Sequence, residues 1–152
     1  MMNKKEHDER IIEIEKELRY LCTVIKQKGR EILTDFQITP PQFQALQYLI
    51  SEDSLTIGEL SNKMFLACST ITDLVDRMEK NDLVKRARDE KDRRVVRIVV
   101  LDNGHEIINQ VLHARRNYLE EVLLDVSSEQ RDSVLQGISL IYQKSLDNME
   151  EK

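Results

Sequence analysis

Short polar side chains share one face of a helix predicted to run from about Cys68 to Lys80. The candidate contact residues on this face are Ser69, Thr70, Thr72, Asp73 and Arg77. The opposite face carries apolar residues at i, i+3, i+4 and i+7, namely Ile71, Leu74, Val75 and Met78. A helix that buries one stripe and exposes such polar groups can enter the major groove of duplex DNA and reach base edges and phosphates. The pattern therefore favours contact with DNA.

A charged hairpin is predicted directly after this helix. Leu83–Arg86 and Val95–Val100 are rich in β-branched or apolar residues, which predicts two strands. The segment between them, Ala87–Arg94, is almost entirely charged and predicts a long polar tip. Arg93 and Arg94 are the candidate DNA-binding residues of this tip. We expect Asp89, Glu90 and Lys91 to face solvent.

The distribution of charge agrees with a nucleic-acid contact in this part of the chain. The 152 residues carry a net charge of −5. Between Arg77 and Arg97, however, nine lysines and arginines stand against five acidic residues, which leaves −9 on the remainder. A phosphate-binding face requires local positive potential rather than a basic average. The charge pattern therefore permits DNA binding.

Helices positioned before and after this region complete the predicted architecture. Heptad-like spacing predicts a long first helix from about His7 to Leu33. Capping-box patterns at Thr39–Gln42, Thr56–Glu59 and Ser127–Gln130 predict three further helix starts, and another helix is expected from about Asp102 to Asp125. The predicted class is mainly α: a winged helix-turn-helix of six helices and a two-stranded wing. The long outer helices have apolar stripes with no partner in so small a core, so we expect a second copy to cover them.

Other classes of protein lack support in the sequence. Met1–Arg10 is polar, and no apolar run approaches the roughly 18 residues that span a bilayer, so we expect no secretory signal, no membrane partner and a cytoplasmic protein. His7, His105 and His113 are not spaced as metal ligands. No nucleophile–base, paired-carboxylate or Gly-rich phosphate motif is present, so we expect neither an enzyme nor a cofactor.

Three segments resemble the MarR (multiple antibiotic resistance regulator) family. Ile38–Leu46 is similar to the second-helix signature of that family, and Leu60–Glu79 is similar to its recognition region. Asp92–Arg97, with Gly104 ten residues beyond Arg94, resembles its wing. Three motifs in this order and spacing are far more specific than any one of them.

The resemblance implies a single MarR-type chain over 1–152 that acts as a homodimer on double-stranded DNA. Residues of about 38–101 would form the winged DNA-binding region, and about 7–34 and 102–150 the dimerisation helices. The recognition helix would enter the major groove and Arg94 the adjacent minor groove, which attracts arginine through its negative potential. Asp92 would support the wing by pairing with an arginine near its base.

Three positions depart from the family pattern. Phe65 stands where the turn glycine is usual, so the turn must have a negative φ or bear strain. Asp73 stands where arginine is frequent; it would repel phosphate but can accept a hydrogen bond from cytosine N4. Leu101 replaces the usual capping threonine of the fifth helix, so we expect the cap to move to Asp102.

Several functional alternatives stay open. A winged helix can also serve as a protein–protein interaction module that never reads DNA. A thiol-based redox regulator would use Cys22, on the first long helix, or Cys68, at the start of the recognition helix, but a packed or passive cysteine is the plainer interpretation of each.

The resemblance also implies a small apolar or phenolic effector, bound between the dimer helices and the winged region, that relieves repression. The candidate lining residues are Tyr20, Phe36, Phe43, Tyr48 and Tyr118. Each could equally belong to the hydrophobic core.

Overall fold

The computed structural model of the protein describes residues 8–151. Over this range the chain forms six helices and one two-stranded antiparallel sheet, which confirms the predicted mainly α class. The elements are α1 (Glu9–Asp35), α2 (Pro40–Ser51), α3 (Ile57–Met64), α4 (Cys68–Lys80), β1 (Val84–Arg88), β2 (Val96–Val100), α5 (Asp102–Val122) and α6 (Ser128–Glu150). The predicted start of the first helix at His7 lies outside the described residues.

Capping boxes begin three of the helices, as the sequence predicts. Thr39 accepts the Gln42 amide hydrogen at 3.4 Å, and the Gln42 side chain accepts the Thr39 amide hydrogen at 3.0 Å. The same reciprocal pair joins Thr56 and Glu59 at the start of α3, and Ser127 and Gln130 at the start of α6. Each box satisfies two amide groups that have no partner inside the helix.

The chain divides into two compact units, one ending at Arg115 and the other beginning at Arg116. The core of the first unit joins α2, α3, α4, the start of α5 and both strands. Its most deeply buried side chains are Leu46, Leu49, Leu60, Ile71, Val75, Met78, Val84, Ile98 and Val111. On α4, Ile71, Val75 and Met78 are buried and Leu74 packs half-buried against them, so the predicted inward stripe is confirmed.

The hairpin pairs Val84 with Val100 and Arg88 with Val96. The first strand begins one residue later and extends two residues further than predicted, so the tip is shorter. Leu55, before α3, forms an isolated bridge to Ile98, with backbone hydrogen bonds of 2.7 and 3.4 Å. The hairpin is therefore anchored at its base to the segment that leads into α3.

Gly104 allows the start of α5 to lie directly against the hairpin. A Cβ atom there would be 2.4 Å from the carbonyl oxygen of Leu83 and 2.7 Å from Cγ1 of Val100. Asp102 is the first helical residue of α5, and the carbonyl oxygen of Leu101 accepts the His105 amide hydrogen. The expectation that the cap moves to Asp102 was therefore wrong, because Leu101 holds the cap position.

The second unit, taken by itself, presents an apolar surface. None of the α6 residues is buried. Its exposed large apolar side chains are Val134, Leu135, Ile138, Leu140, Ile141, Tyr142, Leu146 and Met149. Among the helices of residues 8–151, none has the length and hydropathy that a membrane span requires.

Candidate nucleic-acid interface

The polar face of α4 is open to solvent. Ser69, Thr70, Asp73 and Arg77 are exposed. Thr72 is half-buried, and its hydroxyl donates a 2.8 Å hydrogen bond to the carbonyl oxygen of Cys68 one turn earlier, which leaves the oxygen lone pairs available as acceptors. The structure thus places all five predicted residues of this helix at the surface or its margin, on one element.

The turn between α3 and α4 contains the departure noted in the sequence. Phe65 has φ 54° and ψ 39°, the left-handed conformation, so the strained of the two alternatives is the one observed. The residue is 93% exposed. The Ser61 hydroxyl donates to the Leu66 carbonyl oxygen at 2.5 Å and holds the turn closed.

Arg86 on β1 joins the hairpin to α4. Its guanidinium lies 2.8 Å from Asp76 Oδ1 and also contacts Glu79, while its amide hydrogen bonds to Glu79 Oε1 at 2.9 Å. Partial burial disfavours the charge, but these carboxylates outweigh it and raise the pKa of Arg86. The sequence analysis missed this tie; its signal is the pair of acids at i and i+3 on α4 followed by an arginine in the next strand.

A second ion-pair cluster joins the hairpin to α3. Asp89 Oδ2 lies 2.6 Å from Nε of Arg97, whose guanidinium also lies 3.6 Å from Glu59. Asp89 further accepts the amide hydrogens of Lys91 and Asp92. The Arg97 hydrogen bond, aided by these amides, lowers the pKa of Asp89 to about 2. The expectation that Asp89 faces solvent was wrong, since its side chain is 19% exposed; Glu90 and Lys91 are exposed as expected.

The tip of the wing presents Arg94 to solvent. Its side chain is 91% exposed and lies 3.1 Å from Asp92 Oδ2. This hydrogen bond lowers the pKa of Asp92 and raises that of Arg94. The resemblance implied that Asp92 pairs with an arginine near the base of the wing, and the structure corrects this: Arg94 is two residues away, and Asp89 holds the basal Arg97. Arg93 is exposed, and its carbonyl oxygen accepts a hydrogen bond from Arg88 at 2.9 Å.

The five aromatic candidates for an effector site differ in their surroundings. Phe43 is buried in the core, and Phe36 and Tyr48 pack half-buried against it. Tyr20 is exposed on α1, with the Arg19 guanidinium 5.1 Å from its ring centre. Tyr118 lies half-buried in the second unit.

A different set of residues lines a pocket of about 330 Å³ within the first unit, termed here the α1–α2–α5 pocket. The lining residues are Ile25, Lys26, Gly29, Arg30, Leu33, Pro40 and Arg115. The Arg115 guanidinium lies 4.7 Å from the Phe43 ring centre, and its Nε is buried with no hydrogen-bond partner among the described residues. The pocket lining thus combines three cationic residues, Lys26, Arg30 and Arg115, with apolar side chains. The sequence analysis named aromatic residues and missed this set.

The cysteines Cys22 and Cys68 are both free and exposed. The plainer interpretation of Cys22 as a packed residue is therefore wrong for this chain. Within residues 8–151, no three His, Cys, Asp or Glu side chains come together as metal ligands would.

The chain is similar in sequence and in structure to known transcriptional regulators. The MarR family pattern matches residues 38–96. The uncharacterized HTH-type transcriptional regulator YsmB of Bacillus subtilis is 53% identical over 122 residues, 80% of this chain and 84% of the relative. The HTH-type transcriptional repressor MdtR of B. subtilis is 28% identical over 83% of this chain and 81% of its own length. The solved structure of a MarR family protein from Bacillus stearothermophilus is 51% identical, covers 92% of this chain and 99% of that one, and superposes with a TM-score of 0.83.

Proposed function

The chain belongs to the MarR family of winged helix-turn-helix transcriptional regulators, and on this basis we propose that it binds a pseudo-palindromic operator as a homodimer and represses transcription. The observation that carries the proposal is the exposed polar face of α4 followed by a hairpin whose tip arginine is 91% exposed. Repression is supported by MdtR, which is named a transcriptional repressor.

Two neighbouring grooves would be read by two elements. Ser69, Thr70, Thr72, Asp73 and Arg77 on α4 would face the major groove, where hydroxyls bind phosphates or base edges and arginine pairs with guanine. Arg93 and Arg94 would extend the wing into the adjacent minor groove. Asp73 would accept from cytosine N4, so a cytosine at that position should be preferred.

The dimer is proposed from the apolar side chains that the outer helices leave uncovered. α6 carries the apolar surface described above. On α1 the exposed large apolar residues are Ile11, Ile12, Ile14, Tyr20, Leu21, Val24 and Ile25. Extended exposed apolar surface on a protein in water marks an interaction site. A second copy would cover these stripes, and a two-fold dimer matches a two-fold operator.

Arg94→Ala tests the wing assignment, and the chain contains a matched control. Arg10 pairs with Asp8 as Arg94 pairs with Asp92, two residues apart and at the same 3.1 Å distance, with its side chain 84% exposed. Affinity for a duplex selected from a random pool, measured as a function of salt, should fall about tenfold in Arg94→Ala and stay unchanged in Arg10→Ala. If Arg94→Ala bound like the parent protein, the wing assignment would be wrong.

The effector is proposed to occupy the α1–α2–α5 pocket. Ile25, Leu33 and Pro40 offer an apolar wall, and the nearby cations suit a phenolate or carboxylate on a small aromatic body. Such a ligand can release DNA only if it binds the DNA-competent and DNA-free arrangements unequally. Benzoate should raise the melting temperature and weaken DNA binding more than uncharged benzyl alcohol, and Lys26→Gln should reduce that difference. Equal effects of the two compounds would exclude the cationic pocket as their site.

A further inference from the structure

Phe65 combines an unfavourable backbone conformation with an unburied side chain. Left-handed φ and ψ values suit glycine, asparagine and aspartate, and are unusual for a bulky aromatic residue. The other positive-φ residues of the described chain are the polar Gln37, Asp53 and Asp82. Because the residue is 93% exposed, its side chain gains no packing that would offset this conformation.

The turn itself does not require the ring. Its hydrogen bonds run from the Ser61 hydroxyl to the Leu66 carbonyl oxygen at 2.5 Å, and from the Leu66 amide to the Ser61 carbonyl oxygen at 3.2 Å. The amide of Phe65 bonds to the carbonyl oxygen of Asn62. None of these bonds involves the Phe65 side chain, and only the last involves its backbone, so glycine at this position would keep all of them with less strain.

The position of Phe65 in the chain indicates which partner its ring would contact. Residues 65–70 form one continuous exposed run that ends in Ser69 and Thr70 of the candidate DNA-contacting face. The exposed apolar stripes that a second copy would cover lie on α1 and α6. Phe65 lies on neither helix, and the residues after the adjacent Leu66 lead into the polar face of α4. A phenylalanine at the edge of a DNA-reading face can contact the C5-methyl group of thymine, which marks that base in the major groove.

We propose that Phe65 is a specificity-determining residue whose ring packs against a thymine methyl group at the entrance of α4 into the major groove. The inference rests on the proposed DNA binding and adds a base preference to it. It also accounts for an aromatic residue in a conformation that favours glycine, because a strained conformation is retained where function requires it.

The test compares Phe65→Gly with Phe65→Tyr in the full chain, on a duplex selected from a random pool by the parent protein. Phe65→Gly removes the ring and the strain together, so its melting temperature should rise by roughly 2–4 °C. Its affinity should fall about fivefold or more, with an unchanged salt dependence because no charge is lost. Phe65→Tyr keeps the ring and should bind within about twofold of the parent.

Deoxyuridine locates the contact, because uracil lacks only the methyl group of thymine. Replacing each thymine of the selected duplex in turn should reveal a position in each half-site where the parent loses about fourfold in affinity and Phe65→Gly loses nothing. Three results would overturn the inference: full affinity in Phe65→Gly, a loss with a shallower salt slope, which would indicate a displaced α4, or no thymine that distinguishes the two proteins.

The proposed function and this inference can fail separately. If the parent protein selects no duplex, the proposed DNA binding is wrong and the base preference falls with it. If the parent selects a duplex that Arg94→Ala weakens and Phe65→Gly does not, DNA binding stands and the role of Phe65 alone is refuted.

Discussion

The ion pairs between Arg86 on β1 and the acids of α4 should control how the wing is held against α4. Replacing Arg86 by glutamine keeps a similar length and removes the charge. Asp76 then loses its 2.8 Å partner. Glu79 loses the guanidinium but keeps the Arg86 amide hydrogen at 2.9 Å. The substitution therefore leaves no carboxylate buried without a hydrogen bond.

The size of the effect follows from partial exposure. Hydrogen bonds to charged groups contribute about 1.5–3 kcal/mol when shielded, and fully exposed pairs contribute about 0.2–1 kcal/mol. Here the Arg86 and Glu79 side chains are 30% and 32% exposed and Asp76 is 50% exposed, which lies between those limits. We expect Arg86→Gln to lower the free energy of unfolding by about 1–2 kcal/mol, or roughly 2–8 °C in melting temperature.

The affinity of Arg86→Gln for DNA should fall by more than the loss of one positive charge explains. Without Arg86, Asp76 and Glu79 add uncompensated negative charge to α4, and the wing loses its tie to that helix. Lys85→Gln, at the neighbouring exposed strand position, removes the same charge without breaking that tie. We expect Arg86→Gln to lower DNA affinity several-fold further than Lys85→Gln.

Urea unfolding and DNA titration of both variants and of Asp76→Asn measure these effects. The double variant Asp76→Asn/Arg86→Gln should be less destabilised than the sum of the single variants, because the second substitution removes a partner already lost. Strict additivity of the two, or equal losses of DNA affinity in Arg86→Gln and Lys85→Gln, would refute the positioning role.

Two further predictions concern packing and titration. Gly104→Ala should lower the free energy of unfolding by about 1–3 kcal/mol or more in urea titrations, since the new Cβ would meet the Leu83 carbonyl oxygen at 2.4 Å; Gly137→Ala, with nothing within 4 Å, is the control and should be neutral or stabilising. The Asp89 carboxyl should titrate near pH 2 by carbon NMR, below its ordinary 3.8, so its contribution to stability is complete above about pH 4 and is lost as the pH falls through 2. In Arg97→Gln this midpoint should move up towards 3.8; an unchanged midpoint would show that Arg97 is not its cause.

Local signals in the sequence predicted the helices well. The capping boxes at Thr39, Thr56 and Ser127 depend on residues three positions apart, and all three formed as predicted. The bounds of α4 were also predicted, because its apolar spacing and the turn after Lys80 leave little choice. The strand β1 begins one residue later and ends two residues later than predicted, since its bounds depend on pairing with β2 and not on its own composition.

Long-range contacts were the part that the sequence could not supply. The tie from Arg86 to α4 and that from Asp89 to Arg97 depend on how the strands lie against the helices. The α1–α2–α5 pocket brings Lys26 and Arg115 together from helices far apart in sequence. The aromatic residues that the sequence suggested for an effector site do not line this pocket, because residue type alone cannot separate a core phenylalanine such as Phe43 from a pocket residue.

The ion pairs also change what the basic segment contributes to DNA binding. Arg86 and Arg97 are paired with partly buried carboxylates and hold the wing in place. Arg77 and Arg93 are exposed, and no described carboxylate pairs with them. Counting all nine cations of the segment as phosphate-binding charge is therefore wrong, because a paired arginine contributes little field at a distance.

Arg94 is an intermediate case, because it is paired with a carboxylate and yet is exposed to solvent. Its pair with Asp92 is open to solvent, so the attraction is weak and readily exchanged for a groove lined with phosphates. The same aspartate restricts the arginine before DNA arrives, which reduces the side-chain entropy lost on binding. Asp92→Asn should therefore lower the affinity for DNA, although it removes a negative charge from the tip. The loss should be smaller than that in Arg94→Ala. An Asp92→Asn variant that bound more tightly than the parent would show that repulsion of phosphate outweighs this preorganisation.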